Sequence, residues 1–348
     1  MAFEITGTGR AIPPRRITND ELAKKIDTSD EWIRSHTGIG ARHIAGDETA
    51  SSDLAIEAAR NALVLTAGLE KLPPGELEAA LAEAALSLDM IILATATPDY
   101  NTIPSTACIV QDKLGAKRAA AMDIGAGCTG FIYALETAAG LLSVGGERKR
   151  ALVIGAEVLS KVVDWSNRGT CVLFGDGAGA VILEKTDTPR EGENRRGLLG
   201  TILRADGSGA EHLIFRRGGF RYPFKAGEIV EKPTHLEMNG QAVYNFAVKA
   251  VTETIEEILT REAVSINDVN LIVPHQANAR IVQAAAKRLK IPEEKFFLNI
   301  EEYANTSAAS IPIALDELNR GGKLKRGDLI LTIGFGGGLT YGANLIVW

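Results

Sequence analysis

Cysteine is scarce in this chain of 348 residues, with Cys108, Cys128 and Cys171 the only three. No two of them stand within metal-ligand spacing. Three scattered thiols do not build a disulfide framework either, so a disulfide-held secreted module is excluded. An excess of either charge is also missing: 38 basic against 44 acidic residues leave a net charge of −6. That balance argues against a general nucleic-acid binder while leaving room for a local basic patch. The N-terminus, Met1 to Ile17, lacks an apolar signal core and reads as a strand, a Gly turn and a Pro turn. The longest apolar stretch, Leu77 to Ala96, is broken by Glu83 and Asp89, so no membrane-spanning helix is expected. A reducing cytoplasm is the expected compartment. Nothing in the composition points to disorder, collagen or a coiled coil.

What is present is an ordinary globular composition, 45% apolar, long enough for one large domain or two modest ones with a substantial core. Short β-rich runs occur at Met90–Ala94, Ala121–Ile124, Ala151–Ile154, Ala180–Leu183, Leu271–Val273, Phe296–Ile300, Leu329–Ile333 and Asn344–Val347. Helical periodicity fills Ser52–Leu65, Ser105–Leu114, Thr129–Leu142, Ala242–Leu259, Ala279–Leu289 and Ile311–Leu318. Continuous apolar strands alternating with amphipathic helices predict an α/β architecture whose strands are covered on both faces. The Ala/Glu/Leu-rich segment after Pro73-Pro74-Gly75 predicts an additional surface helix.

A weak repeat divides the chain. Asp89–Leu93 resembles Asp268–Val273, Met122-Asp123-Ile124 matches Leu298-Asn299-Ile300, and Val153-Ile154-Gly155 matches Thr332-Ile333-Gly334. The offsets are 180, 176 and 179 residues, which predicts two similar halves. They are expected to part within the charged stretch Thr186–Arg196, giving halves 1–187 and 188–348.

Two glycine motifs carry no phosphate-loop reading. Gly7-Thr8-Gly9 is followed by Ile12 where a dinucleotide fingerprint needs glycine. Gly175–Gly179 leads into a strand rather than a helix, so it reads as a tight connection. Gly336-Gly337-Gly338 likewise precedes a strand, where glycines let the backbone approach something closely.

Cys128 follows a predicted strand and the loop Gly125-Ala126-Gly127, and precedes a helix. A thiol at a helix N-terminus is expected to have a lowered pKa and thiolate character. Cys108 and Cys171 lack that placement and are expected in the core. His275 comes directly after the strand Leu271–Pro274, at the carboxyl end where sites form in α/β sheets. Asn305 follows the counterpart of the strand before Cys128. A pseudo-two-fold would therefore bring Cys128 and Asn305 from equivalent loops to one cavity. The order Cys, His, Asn also describes papain-like proteases, but the Gly-Cys-Thr-Gly-Phe context departs from theirs, as does the low cysteine count.

At these residues the chain resembles the β-ketoacyl-[acyl-carrier-protein] synthase III family, condensing enzymes of the thiolase fold. The likeness is carried by Thr28-Ser29-Asp30-Glu31-Trp32-Ile33, Asp123–Leu135, Phe174–Ala180, Pro274–Arg280, Asn305–Ile313 and Gly334–Gly342. It implies a five-layered α-β-α-β-α thiolase fold built from two similar halves. The implied reaction is decarboxylating condensation of an acyl-CoA primer with malonyl-[acyl-carrier-protein], which starts fatty acid synthesis. Cys128 would carry the acyl group, the N–H groups of Cys128 and Gly337 would form an oxyanion hole, and His275 with Asn305 would stabilise the enolate. Phe131 and Phe335 would exclude water near the reacting centre.

The resemblance further assigns CoA contacts to Thr28, Trp32, Arg168, Gly240 and Asn278, and the acyl pocket to Ile103 and Phe335. Arg280, Lys287 and Arg288, at i, i+7 and i+8 on one helix face, become a docking patch for the acyl carrier protein. No metal or organic cofactor is implied, and the expected assembly is a homodimer. Several positions depart from the family pattern: His36 and Gly40 stand where arginine is common, Gln241 replaces asparagine, and Asn245 replaces lysine. Ile103 stands where acetyl-selective relatives often carry phenylalanine, so branched or longer primers are expected. Thiolases would need a second cysteine near Gly334–Gly342, and elongating condensing enzymes a second histidine in place of Asn305. Polyketide- and quinolone-type synthases share the Cys-His-Asn set and stand as the alternative enzyme. A non-catalytic acyl- or carrier-protein-binding module is the alternative from another class.

Overall fold

The computed structural model describes residues 1–144, 146–187, 196–228 and 235–348. Two mixed sheets organise it. In the first, the strands lie in the order Ala2–Ala11, Gly177–Thr186, Arg150–Glu157, Met90–Ala94, Ala120–Ile124. Successive pairings are antiparallel, antiparallel, parallel and parallel. In the second, Gly197–Ala205, Thr340–Val347, Leu329–Gly336 and Leu271–Pro274 repeat that order and the same directions. The two sheets are thus copies of one topology, as the constant offset predicts. The expected boundary between 187 and 188 falls at the edge of residues 188–195, which lie outside the described residues.

Side chains on successive strand positions point to opposite faces, and both faces are used. Met90, Ile92 and Ala94 pack inward with the helices Gly130–Val144 and Ser310–Arg320, which also touch Val273, Ile330 and Ile346 of the second sheet. Ile91 and Leu93 face the other way, against the helices Ser51–Ala67 and Thr106–Leu114. The second sheet covers its outer face with Gly240–Arg261 and Ala279–Leu289 through Ile272, Leu331, Ile333 and Leu345. The result is five layers, α-β-α-β-α. Gly127–Val144 is apolar over 18 residues, and its helix lies in the middle layer between the sheets. The additional helix is present at Pro74–Leu86, packed on the helix Ser51–Ala67 and adding Leu81 and Ala85 to the apolar cluster outside the first sheet.

Three expectations need correction. Gly7 and Gly9 make no turn but sit inside the strand Ala2–Ala11. Their missing side chains admit the helix Ser51–Ala67: a Cβ would come 1.9 Å from Thr66 Oγ1 at Gly7 and 2.2 Å from the Ala58 carbonyl at Gly9. Phe296–Ile300 is not a strand. Phe296 forms one parallel bridge to Ile272, after which the Gln276 side-chain carbonyl accepts the N–H groups of Asn299 and Ile300 at 3.0 and 3.2 Å. That side chain takes the donors a ladder would need, and the chain turns into the helix Ile300–Tyr303. Finally, Cys108 is exposed on its helix, whereas Cys171 is buried as expected.

Candidate active site

Four segments converge between the two halves, three of them following the strands Ala120–Ile124, Leu271–Pro274 and Leu329–Gly336 and the fourth following the helix Ile300–Tyr303. Cys128 lies in a 3₁₀ turn, Gly127–Thr129, that opens the helix Gly130–Val144. His275 follows Leu271–Pro274, and its N–H donates to the Ile333 carbonyl at 2.7 Å. Asn305 is tied across to the N-terminal half: its N–H donates to the Leu173 carbonyl at 2.9 Å, and its own carbonyl accepts from Gly175 N–H at 3.0 Å. Gly337 follows Leu329–Gly336. A Cβ at Gly336 would lie 2.7 Å from both Cβ and N of Cys128, which is the close approach the glycine run predicts.

Cys128, His275, Asn305, Phe335, Gly240 and Asn278 line one cavity of about 150 Å³. Cys128 also lines a second cavity of about 260 Å³ with Gly337, Ser307 and the apolar Leu159, Phe174, Leu213, Phe215 and Leu236. The thiol therefore stands between a smaller chamber that carries the His275, Asn278 and Asn305 side chains and a larger one walled by apolar side chains.

Burial dominates the electrostatics. His275 is 1% exposed, and desolvation pushes its pKa down to about 3, so the imidazole is neutral. Its Nδ1 lies 2.7 Å from Ser310 Oγ. The same oxygen accepts the Gln276 N–H at 3.3 Å, and among the described residues Nδ1 is the one acceptor its hydroxyl proton meets, so that proton is donated to Nδ1. The ring proton then sits on Nε2, the nitrogen that remains free as a donor. Asn305 is fixed by the same logic. Its Oδ1 accepts the Ser307 N–H at 2.8 Å, so the amide nitrogen is the end left as a donor. The hydrogen-bond partners thus assign both groups as donors.

The Cys128 thiol departs from its expectation. Burial pushes it up to about 11, outweighing hydrogen bonds from Ser307 and from the N–H groups of Gly337 and Cys128 that pull it down. The turn adds little against that burial. Thr129 N–H donates to the Ala126 carbonyl and Gly130 N–H to that of Gly127, so the helix-start donors that would favour thiolate are already satisfied. The Cys128 and Gly337 N–H groups are the pair that reach the reacting sulfur.

The remaining predicted residues distribute as follows. Arg168 lies 4.6 Å over the Trp32 ring, and His36 stacks on Trp32 with ring centroids 4.4 Å apart. A planar ligand entering between Trp32 and Arg168 must lift the guanidinium away. Thr28 carries a buried hydroxyl without a partner, a group suited to meeting a ligand. Asn278 caps the helix Ala279–Leu289 through Arg280 N–H at 2.9 Å and donates to the His36 carbonyl at 3.0 Å. Gly240 begins the helix Gly240–Arg261. Arg280, Lys287 and Arg288 are exposed and make no ion pair among the described residues. Phe335 packs edge-on against His275 with centroids 5.3 Å apart, in the cavity that holds His275 and Asn305. Phe131 is fully buried. Ile103 is 85% exposed and lines neither cavity within the chain.

Sequence reasoning did not single out Ser307, Ser310, Glu157 or the apolar wall formed by Leu159, Leu213, Phe215 and Leu236. The two serines flank Ala308-Ala309 in the Asn305 segment, where a small-residue turn hides their partners. The wall comes partly from two three-residue strands, Leu213–Phe215 and Leu236–Met238, too short to show a period.

Comparisons with known proteins agree with one another. Residues 122–207 match the family model described as 3-oxoacyl-[acyl-carrier-protein (ACP)] synthase III, and residues 259–348 match that of its C-terminal part. The chain is 48% identical to the β-ketoacyl-[acyl-carrier-protein] synthase III of Caldanaerobacter subterraneus subsp. tengcongensis, over 100% of this chain and 98% of that protein. To the protein of the same name from Clostridium perfringens it is 49% identical, covering 99% and 98%. The crystal structure of 3-oxoacyl-[acyl-carrier-protein] synthase III from Aquifex aeolicus superposes with a TM-score of 0.85 at 44% identity, covering 99% of this chain and 100% of that one.

Proposed function

The chain belongs to the β-ketoacyl-[acyl-carrier-protein] synthase III family, and from that premise we propose how its site performs the condensation that starts fatty acid synthesis. The reaction joins an acyl-CoA primer to malonyl-[acyl-carrier-protein], with loss of CO₂, to give a 3-oxoacyl-[acyl-carrier-protein].

In the first half, Cys128 sulfur attacks the thioester carbonyl, CoA leaves, and the acyl group stays on the thiol. The N–H groups of Cys128 and Gly337 hold the developing oxyanion. The acyl chain occupies the apolar cavity of about 260 Å³. In the second half, the malonyl thioester enters the chamber that carries His275 and Asn305 and loses CO₂. His275 Nε2–H and the Asn305 amide donate to the resulting enolate oxygen, whose carbon attacks the acyl-cysteine. A neutral imidazole with its proton on Nε2 suits this role: it donates a hydrogen bond without carrying a charge.

Thr28, Gly240 and Asn278 border the path of the pantetheine arm, and Trp32 with Arg168 takes the adenine. Arg280, Lys287 and Arg288 offer the acidic carrier protein a basic face. Acyl-CoA and malonyl-[acyl-carrier-protein] are substrates, and no resident metal or organic cofactor takes part. The enzyme works in the cytoplasm as a homodimer. Tyr100 and Ile103 are exposed on a loop joined through Asn101 to the Gly218 carbonyl, beside exposed Phe220 and Tyr222. Such an apolar cluster fits a contact with a second copy.

The observation that carries the reading is that Cys128 shares one cavity with His275 and Asn305 while lining a second, apolar one. The test incubates the protein with acyl-CoAs from acetyl to octanoyl and reads intact mass. A single adduct, absent in Cys128→Ala, is expected; no adduct from any primer would overturn the reading.

A further inference from the structure

The thiol of Cys128 must lose a proton before it can attack, and His275 is not arranged to take it. Its Nε2 carries a proton already, and its Nδ1 is engaged with Ser310. A buried carboxyl on the opposite side is arranged for it. Glu157 ends the strand Arg150–Glu157 and is fully buried. Its oxygens accept from Thr97 Oγ1 at 2.7 Å, Thr95 Oγ1 at 3.3 Å and the Ala96 N–H at 3.1 Å. Thr97 is oriented for this because its own oxygen accepts the Val158 N–H at 3.0 Å. Among the described residues no cation pairs with Glu157.

Ser307 stands between the two acids. The turn Ser307–Ala309 packs against the turn Gly127–Thr129 on one side and the strand Arg150–Glu157 on the other, which puts the Ser307 side chain beside both the Cys128 thiol and the Glu157 carboxyl, where it favours the charged form of each. It lines the same cavity as Cys128 and Ala96. The backbone holds it there in the left-handed region, at φ 48, pinned by the bond from Ser307 N–H to Asn305 Oδ1. A non-glycine residue in that region is strained, and such strain persists where the surroundings over-determine it.

Building on the acyl-transfer reading above, we propose that Glu157 is the proton acceptor for Cys128 and that the Ser307 hydroxyl relays the proton. The thiol S–H bond breaks as its proton passes to Ser307 Oγ, while the Ser307 O–H proton passes to the Glu157 carboxylate. The outcome is a thiolate and a neutral carboxylic acid. The thiolate forms the S–C bond to the primer, the C–S bond to CoA breaks, and the proton returns through Ser307 to the departing CoA thiolate. Glu157 ends as a carboxylate, and the half-reaction consumes no net proton.

Electrostatics favour one shared proton. The groups facing Glu157 are Thr95, Ala96 and Thr97 from one loop, Ser307 and Ala308 from a second, and Cys128 from the third. Cys128 is the one among them that titrates. Burial raises Glu157 to about 7, and its charge adds to the pressure that raises the thiol. Two buried anions this close are disfavoured, so thiolate forms most readily with Glu157 neutral, and the two acids titrate as a pair.

The test compares wild type with Glu157→Gln, which keeps the shape and cannot take the proton. The probe is the acyl-CoA that wild type accepts best, and the readout is the rate of Cys128 acylation by quenched intact mass. Wild-type acylation is expected to rise with pH through an inflection near 7, the value to which burial raises Glu157. In Glu157→Gln the rate falls by about 10²-fold and that inflection disappears. Ser307→Ala, with Glu157 left in place, reproduces the loss, so the test survives if the first variant fails to fold. Decarboxylation of malonyl-carrier protein, read separately, is retained in both, which a merely structural defect would not allow. Wild-type rate and pH profile in Glu157→Gln would overturn the relay alone. A wild type that never acylates would overturn the acyl-transfer reading instead.

Discussion

Ser310 Oγ, 2.7 Å from His275 Nδ1, also accepts the Gln276 N–H, and so it decides which ring nitrogen of His275 carries the proton. Both residues are buried, so water does not take over the role. Ser310→Ala frees Nδ1 and lets the proton leave the nitrogen that faces the substrate. Malonyl decarboxylation is expected to fall by up to about 10²-fold, the lower end of the range for losing one donor outright, while Cys128 acylation is unchanged. Nitrogen chemical shifts of the His275 ring read the tautomer directly. An Nε2–H signal that persists in Ser310→Ala would show that something else fixes it.

Asn305 is expected to act as a donor with equal clarity. Asn305→Asp offers acceptors to an enolate oxygen and removes the N–H that would hold it. The rate of decarboxylation should drop by about 10²–10³-fold. Acylation should drop far less, because the Cys128 and Gly337 N–H groups are untouched. Equal losses in both half-reactions would mean that the substitution disturbs the loop rather than the donor.

His275 should not titrate in the working range. Its folded pKa is depressed to about 3, so it stays neutral above that value, and decarboxylation should show no His275 inflection between pH 5 and 8. The sign for stability follows. Unfolded histidine takes a proton below about 6.5, while the buried ring resists one. Folding is therefore penalised progressively as pH falls from about 6.5 toward 3. The check is the pH dependence of Tm in wild type against His275→Asn. The variant should lose less stability over that interval, and identical curves would contradict a buried neutral ring.

Much of this arrangement is legible in the sequence because the strands repeat. Leu93 and Val273 sit in matching strands, and Val153-Ile154 and Thr332-Ile333 lie in the next matching pair. That register is what places the loops of Cys128 and Asn305 at equivalent ends. What was not legible depends on partners far away in the chain. Gln276 ends the pairing at Phe296 by capturing backbone donors with its side chain, a contact that no local pattern encodes. The Cys128 pKa went the other way for a related reason. Helix-start position is a local property, whereas the burial that outweighs it comes from residues of both halves. The isolation of Glu157 in strand Arg150–Glu157 gave no warning that Ser307 would meet it.

The basic stripe of Arg280, Lys287 and Arg288 lies on the helix capped by Asn278 at the cavity's edge. Reversing all three to glutamate should raise KM for malonyl-carrier protein by about tenfold or more, chiefly through slower association. Acylation by acyl-CoA should keep its rate. In wild type the same KM should rise with added salt, since exposed charges are screened over about 10 Å at 0.1 M. A salt-insensitive KM would remove the docking role.

Primer choice can be argued from the cavity beyond the thiol. About 260 Å³ lined by Leu159, Phe174, Leu213, Phe215 and Leu236 leaves an acetyl group surrounded by unfilled apolar space. Each methylene added into such space is worth about 0.8 kcal/mol, roughly fourfold in binding. Isobutyryl-CoA is therefore expected to match or exceed acetyl-CoA in kcat/KM. Leu236→Trp, which fills the cavity, should reverse that order. Ile103 offers a separate control because it is 85% exposed and lines neither cavity of its own chain. It can act on primer choice only from a second copy. If Ile103→Phe narrows the preference toward acetyl, the loop must reach across a dimer. A monomer by light scattering, or no change in preference, would confine selectivity to the walls of a single chain.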